Sequence, residues 1–180
     1  MSMMRFGLLF PQLAEGETRT AIILEPSARN GYLPADEYGM DELYCTERRC
    51  DCRRVMINVL ARRARRHVAT INHAFEPPAQ GDPVPEQTFL DPLNKQSELA
   101  PALLELFQNT VLADPEYRRR LVRHYHLFKR VVDDPTHPDH RLLKLGSESE
   151  VELELERSAR RREGRRPLPP PPRRGRKKWG

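Results

Sequence analysis

Residues 54–75 read RVMINVL-ARRARR-HVATINHAF, two β-branched runs joined by a short basic turn. Val, Ile and Thr recurring at period two on either side of a few polar residues describe an antiparallel hairpin. In the first run Val55, Ile57 and Val59 share one side, and Met56, Asn58 and Leu60 the other. In the second, His67, Ala69, Ile71, His73 and Phe75 alternate with Val68, Thr70, Asn72 and Ala74. Upstream, residues 18–25 (TRTAIILE) end at Pro26 and form a further expected strand. Residues 27–40 collect Asn30, Gly31, Pro34, Asp36 and Gly39 and read as a loop.

Beyond the hairpin, residues 76–96 hold four or more turn formers, prolines above all, and read as a long loop anchored by Phe89, Leu90 and Leu93. Two helices follow. Leu103, Leu104, Phe107, Val111 and Leu112 make a helical stripe within 97–112. Asp114-Pro115 then supplies an N-cap and a first-position proline for a helix over 115–132, whose Tyr117, Leu121, Tyr125, Phe128 and Val132 step by three or four. Lys129 and Arg130 fall in its last turn, where cations suit the helix dipole. Val151, Leu153 and Leu155 alternate with glutamates, a strand period written in helix-favouring residues. The expected fold is α+β: a small antiparallel sheet of about three strands, two helices packed on one face, and a disordered C-terminal tail. Residues 1–156 form the compact domain and 157–180 the tail.

All three cysteines, Cys45, Cys50 and Cys52, lie within eight residues just before the hairpin. A C-x4-C-x-C loop can wrap one zinc ion, because thiolates bind it tetrahedrally and a short loop closes at little entropic cost. A fourth donor is required, and His73, near the far end of the second hairpin strand, is the expected one. His67 sits at the turn end, and His124 or His126 would serve only if their helix packed over the loop. Arg48, Arg49, Arg53 and Arg54 favour thiolate, which aids metal binding and thiol reactivity alike. Reduced cysteines also act as small buried hydrophobes, and Cys50 or Cys52 with His73 and Asp51 supplies the atom types of a nucleophile, base and orienting group. No glycine-rich phosphate loop, zincin helix or G-x-S-x-G elbow occurs.

Of 180 residues, 31 are Lys or Arg and 26 Asp or Glu, a formal +5 that hides a division. Residues 157–180 carry nine Arg and two Lys against one Glu, a net of +10, which leaves −5 on the rest. The acidic body is a poor nucleic-acid surface on net charge. The tail instead offers Arg165, Arg166, Arg173, Arg174, Arg176, Lys177 and Lys178 as sequence-independent phosphate contacts. Its prolines, 167 and 169–172, favour an extended rod, and Arg166-Pro167-Leu168-Pro169 also fits the spacing that SH3-type grooves accept. No run approaches the ~18–20 apolar residues of a membrane span. The short apolar patch at 6–10 lacks the length and cleavage site of a signal peptide, so a cytoplasmic protein is expected. An odd cysteine count points away from a secreted disulfide scaffold.

Tyr44-Cys45, Cys50-Asp51-Cys52-Arg53-Arg54-Val55, His67-Val-Ala-Thr-Ile, Phe89-Leu-Asp-Pro-Leu-Asn94 and His124-Tyr125 with Phe128-Lys129 together resemble a group of uncharacterised bacterial cytosolic proteins. The likeness covers about residues 20–145, and some longer members carry a SEC-C metal-binding motif. It implies a small α+β domain with a metal-binding cysteine loop, without an established activity. The tail here has no cysteine, so the SEC-C module itself is absent. The leading functional expectation is a non-enzymatic, zinc-stabilised interaction module with a protein partner. The alternatives are a nucleic-acid-associated protein acting through its tail and a thiol-dependent enzyme.

Overall fold

The hairpin is the centre of the sheet. In the computed structural model, which describes residues 2–26, 32–79, 84, 86–145 and 153, β4 (Arg54–Ala61) pairs antiparallel with β5 (Arg66–Ala74), Ile57 opposite Ile71 and Val55 opposite His73. Four further strands extend this pair. β3 (Asp36–Cys45) flanks β4, with Glu42 opposite Ile57 and Met40 opposite Val59. β6 (Thr88–Leu90) flanks β5. On the outer edge of β3, β1 (Met3–Arg5) pairs with its end and β2 (Arg19–Ile23) with its beginning. Two short helices, α1 (Phe6–Leu9) and α2 (Pro11–Glu17), bridge those edge strands. The sheet is thus six-stranded and antiparallel, twice the expected count. The missing strands are β1 and β6, of three residues each, and β3, whose Asp, Glu and Gly had read as turn and loop.

Strand alternation places Val55, Ile57, Val59 and Ala61 on the buried side of β4. Over that face lie α3 (Ala100–Leu106), which runs on into a π-turn over Phe107–Val111, and α4 (Pro115–Asp133). Of the expected helical stripes, Leu103, Phe107, Val111 and Leu112 are buried from one, with Leu104 only half-buried, and Tyr117, Leu121, Tyr125, Phe128 and Val132 from the other. Asp114 caps α4 by accepting from the Glu116 amide at 2.9 Å, as its position before Pro115 requires. Of the expected loop anchors, Leu93 is 93% exposed and anchors nothing. Asp91 and Gln96 hold that segment against β5 instead, Asp91 accepting from the Asn72 side-chain amide and Gln96 bonding the Thr70 backbone at both its amide and its carbonyl. Chain contacts set off residues Met1–Lys144 as one unit and Leu145–Gly180 as a second. The alternating glutamates at 148–157, apart from Leu153, and the basic tail lie outside the described residues.

The β4–β5 turn hangs on one carboxylate. Asp36, buried at the start of β3, accepts from the amides of Glu37, Arg63 and Ala64 at 2.7, 2.8 and 3.3 Å. Burial alone would raise its pKa, but these three amides and the Arg63 guanidinium outweigh it and hold the carboxyl below its ordinary value. A group depressed in this way lends stability above the unfolded pKa, and that stability disappears as pH falls through the folded value. Asp36→Ala is therefore expected to cost about 1–3 kcal/mol at pH 7, the price of unpaired buried amides. Denaturant titrations of both proteins should show the gap closing below about pH 4; a gap independent of pH would mean that the carboxylate charge is not what holds the turn.

Candidate metal centre

Local backbone geometry folds the cysteine loop back on itself. Cys45 closes β3, a turn joins the Cys50 amide to the Glu47 carbonyl at 3.3 Å, and Arg54 opens β4. Arg49 and Arg53, on either side of Cys50–Cys52, adopt left-handed φ angles of 60° and 45°. Such residues cost about 1–3 kcal/mol each and persist where surrounding contacts demand them. With these two bends the ligand atoms of Cys45, Cys50 and Cys52 all lie within 4.8 Å of one another. Three thiolates at ~2.3 Å from a tetrahedral zinc stand about 3.8 Å apart, so the cluster has the dimensions of a shared cation site.

Helix α4 grips this loop from one side with residues four apart. The Tyr125 hydroxyl meets Asp51 Oδ1 at 3.4 Å, Lys129 Nζ donates to the Glu47 carbonyl at 2.8 Å, and Asp133 Oδ1 accepts from the Arg49 amide at 2.8 Å. Lys129, expected only to complement the helix dipole, is thus buried and spans from helix to loop. Its role depends on a partner 82 positions away, which no local pattern discloses. At the other side the Thr46 amide bonds the Ser2 carbonyl at 3.0 Å, so β1 closes the rim.

Electrostatics favour a cation. Cys45 is fully buried, Cys50 and Cys52 partly so. Burial first, then the two neighbouring sulfurs, pushes Cys52 up to about 12. Burial likewise raises Cys45, against the pull of the Glu47 amide, which donates to its Sγ at 3.3 Å, and of Lys129. Cys45 and Cys52 therefore resist ionising by themselves, and a bound dication removes that resistance by deprotonating its ligands.

His73 is not among the clustered ligands. Its Nδ1 lies 2.8 Å from Thr88 Oγ1, and its ring sits edge-on to Phe75 and Phe107. Burial, with Arg54 and Arg118 adding to it, lowers its pKa to about 4 and keeps the ring neutral. The reason is register. The Phe75 amide bonds the Arg53 carbonyl, which leaves His73 opposite Val55, three residues beyond Cys52. His124 does belong to a helix that packs over the loop, yet it faces away, between Glu42 Oε2 at 2.7 Å and Glu17 Oε2 at 3.1 Å. His67 bonds Thr70 at the hairpin turn, and His126 is exposed. With His73 on Thr88 and Asp51 turned to Tyr125, the cysteine, histidine and aspartate considered for nucleophilic chemistry are not assembled. The tail cations Arg165, Arg166, Arg173, Arg174, Arg176, Lys177 and Lys178 lie outside the described residues.

Among the described residues no helix is long and apolar enough to cross a membrane. No family model, curated protein or solved structure matches this chain.

Proposed function

We propose that Cys45, Cys50 and Cys52 hold one zinc ion, and that the protein is a metal-stabilised, non-enzymatic interaction module. The convergence of all three sulfurs within 4.8 Å carries this reading. Zinc suits a cluster of thiolates because it is a borderline-soft ion without a redox role, and three sulfurs from one short loop leave a single corner of its tetrahedron to another donor. The ion ties the end of β3 to the start of β4, so its binding free energy becomes folding free energy of the loop. The clamp of Tyr125, Lys129 and Asp133 supports a structural role, since it passes the constraint to α4. An interaction surface finds support at edge strand β2, where Ile22 and, just past the strand's end, Leu24 are 60% and 79% exposed.

Elemental analysis of the purified full-length chain is expected to return about one zinc per protein, with a thiol reagent finding more reactive cysteines after chelation than before. Metal-free protein whose three thiols all react at once, and which takes up no zinc on titration, would overturn the proposal.

A further inference from the structure

The β4–β5 turn carries four arginines in five positions, Arg62, Arg63, Arg65 and Arg66, every one exposed. Mutual repulsion works against gathering four guanidinium groups at one tip, yet this tip is tightly built. Asp36 fastens the amides of Arg63 and Ala64, the Arg62 amide bonds the Glu37 carbonyl at 2.9 Å, and the Arg65 amide bonds the Arg62 carbonyl at 3.2 Å. Arg65 holds a left-handed φ of 49°. Asp36 spends its oxygens on backbone amides, with the Arg63 guanidinium acting on it only through charge, and among the ion pairs of the described residues Glu37 meets Arg62 alone, at 4.0 Å. None of the ion pairs among the described residues takes up Arg63, Arg65 or Arg66. The turn stands out further because the chain before residue 157 is acidic overall, with a net of −5.

From this arrangement we infer that the β4–β5 turn binds the phosphate backbone of a nucleic acid through Arg62, Arg63, Arg65 and Arg66, independently of the basic tail and of the cysteine site. Guanidinium forks match phosphate oxygens in pairs, which ammonium groups cannot do. The only other residue of the tip is Ala64, so it offers no aromatic or aliphatic side chain to enter a lipid interface. That composition favours a polyphosphate chain over a membrane. The contact is sequence-independent, because it reaches phosphates and not base edges.

The test uses the full chain and a fluorescein-labelled 24-base-pair DNA duplex, with a single-stranded RNA of equal length in parallel, across a salt titration. Neutralising the tip as Arg62→Ser, Arg63→Ser, Arg65→Asn and Arg66→Ser should lower the slope of log K against log salt on the duplex by about 3 to 4, since each lost phosphate contact removes about 0.9. Asparagine is chosen at 65 because it tolerates the left-handed backbone. Arg63→Ser alone, which leaves the rest of the turn in place, should lower the slope by about 1. A full-length variant with all eleven Arg and Lys residues of 157–180 changed to serine should retain a slope of about 3 to 4 from the tip. An unchanged slope in the tip variant, a slope abolished in the tail variant, binding to phosphatidylserine vesicles without binding to either nucleic acid, or no binding at all would each overturn the inference.

Discussion

Replacing Glu42 by leucine is expected to destabilise the protein by about 3 kcal/mol, the upper end of the range for leaving a buried polar group without its hydrogen-bond partner. Glu42 lies on the core side of β3, opposite Ile57, where strand alternation calls for an apolar residue. Its Oε2 accepts the Tyr44 hydroxyl at 2.7 Å and meets His124 Nδ1 at 2.7 Å, while Glu17 meets the other ring nitrogen at 3.1 Å. Phe6 stacks flat on the imidazole, with ring centroids 4.0 Å apart and planes 11° from parallel. One network therefore fastens β3, α4 and the α1–α2 segment together. Leucine fills the space but leaves the imidazole Nδ1 without its partner and the Tyr44 hydroxyl with only the Leu121 carbonyl at 3.1 Å, and buried polar groups without partners are expensive. At about 2–4 °C per kcal/mol for a chain of this size, the melting midpoint should fall by roughly 6–12 °C. His124→Leu should cost a similar amount, and the double variant much less than the sum, because it removes both ends of the pair. Thermal and urea melts of the four proteins complete the cycle. A Glu42→Leu loss below about 1 kcal/mol, or losses that simply add, would show that the pair is not coupled.

Metal removal should have an effect of comparable size. A ligand that binds only the folded state, at a free concentration 1,000 times its Kd, stabilises by about 4 kcal/mol. Chelation is accordingly expected to lower the midpoint by about 10 °C, and returning one equivalent of zinc to restore it. Cys50→Ser and Cys52→Ser should melt near the chelated wild-type temperature whether or not zinc is added. Thiol labelling gives a readout separate from stability: after chelation Cys50 and Cys52, which are partly exposed, should react well before the fully buried Cys45. Equal midpoints with and without metal, together with unchanged labelling, would mean that the sulfurs share the loop for packing alone.

Much of this architecture is legible from local pattern. Alternating Val55, Ile57 and Val59 announced β4, and the helical steps from Tyr117 to Val132 announced α4, because one buried face leaves a period in the sequence. Strand β3 is hidden in the sequence although Tyr38, Met40 and Tyr44 alternate, since Glu42 falls on the same face and Gly39 reads as a turn former. What makes Glu42 admissible there is His124, on a helix formed much later in the chain. His73 stands outside the thiol cluster for a related reason: proximity at a strand end is legible in the sequence, whereas the register that sets His73 opposite Val55 is not.

By itself the amino-acid sequence determined the hairpin, the two amphipathic helices and the meeting of Cys45, Cys50 and Cys52, because each arises among residues a few positions apart, where periodicity and short-loop closure govern. Tertiary structure alone decided that Lys129 and Asp133 would clamp the cysteine loop, that His124 would turn to Glu42, and that His73 would spend its nitrogen on Thr88. Those pairings join segments brought together by sheet register and helix docking, which depend on the packing of the whole core rather than on any one stretch of chain.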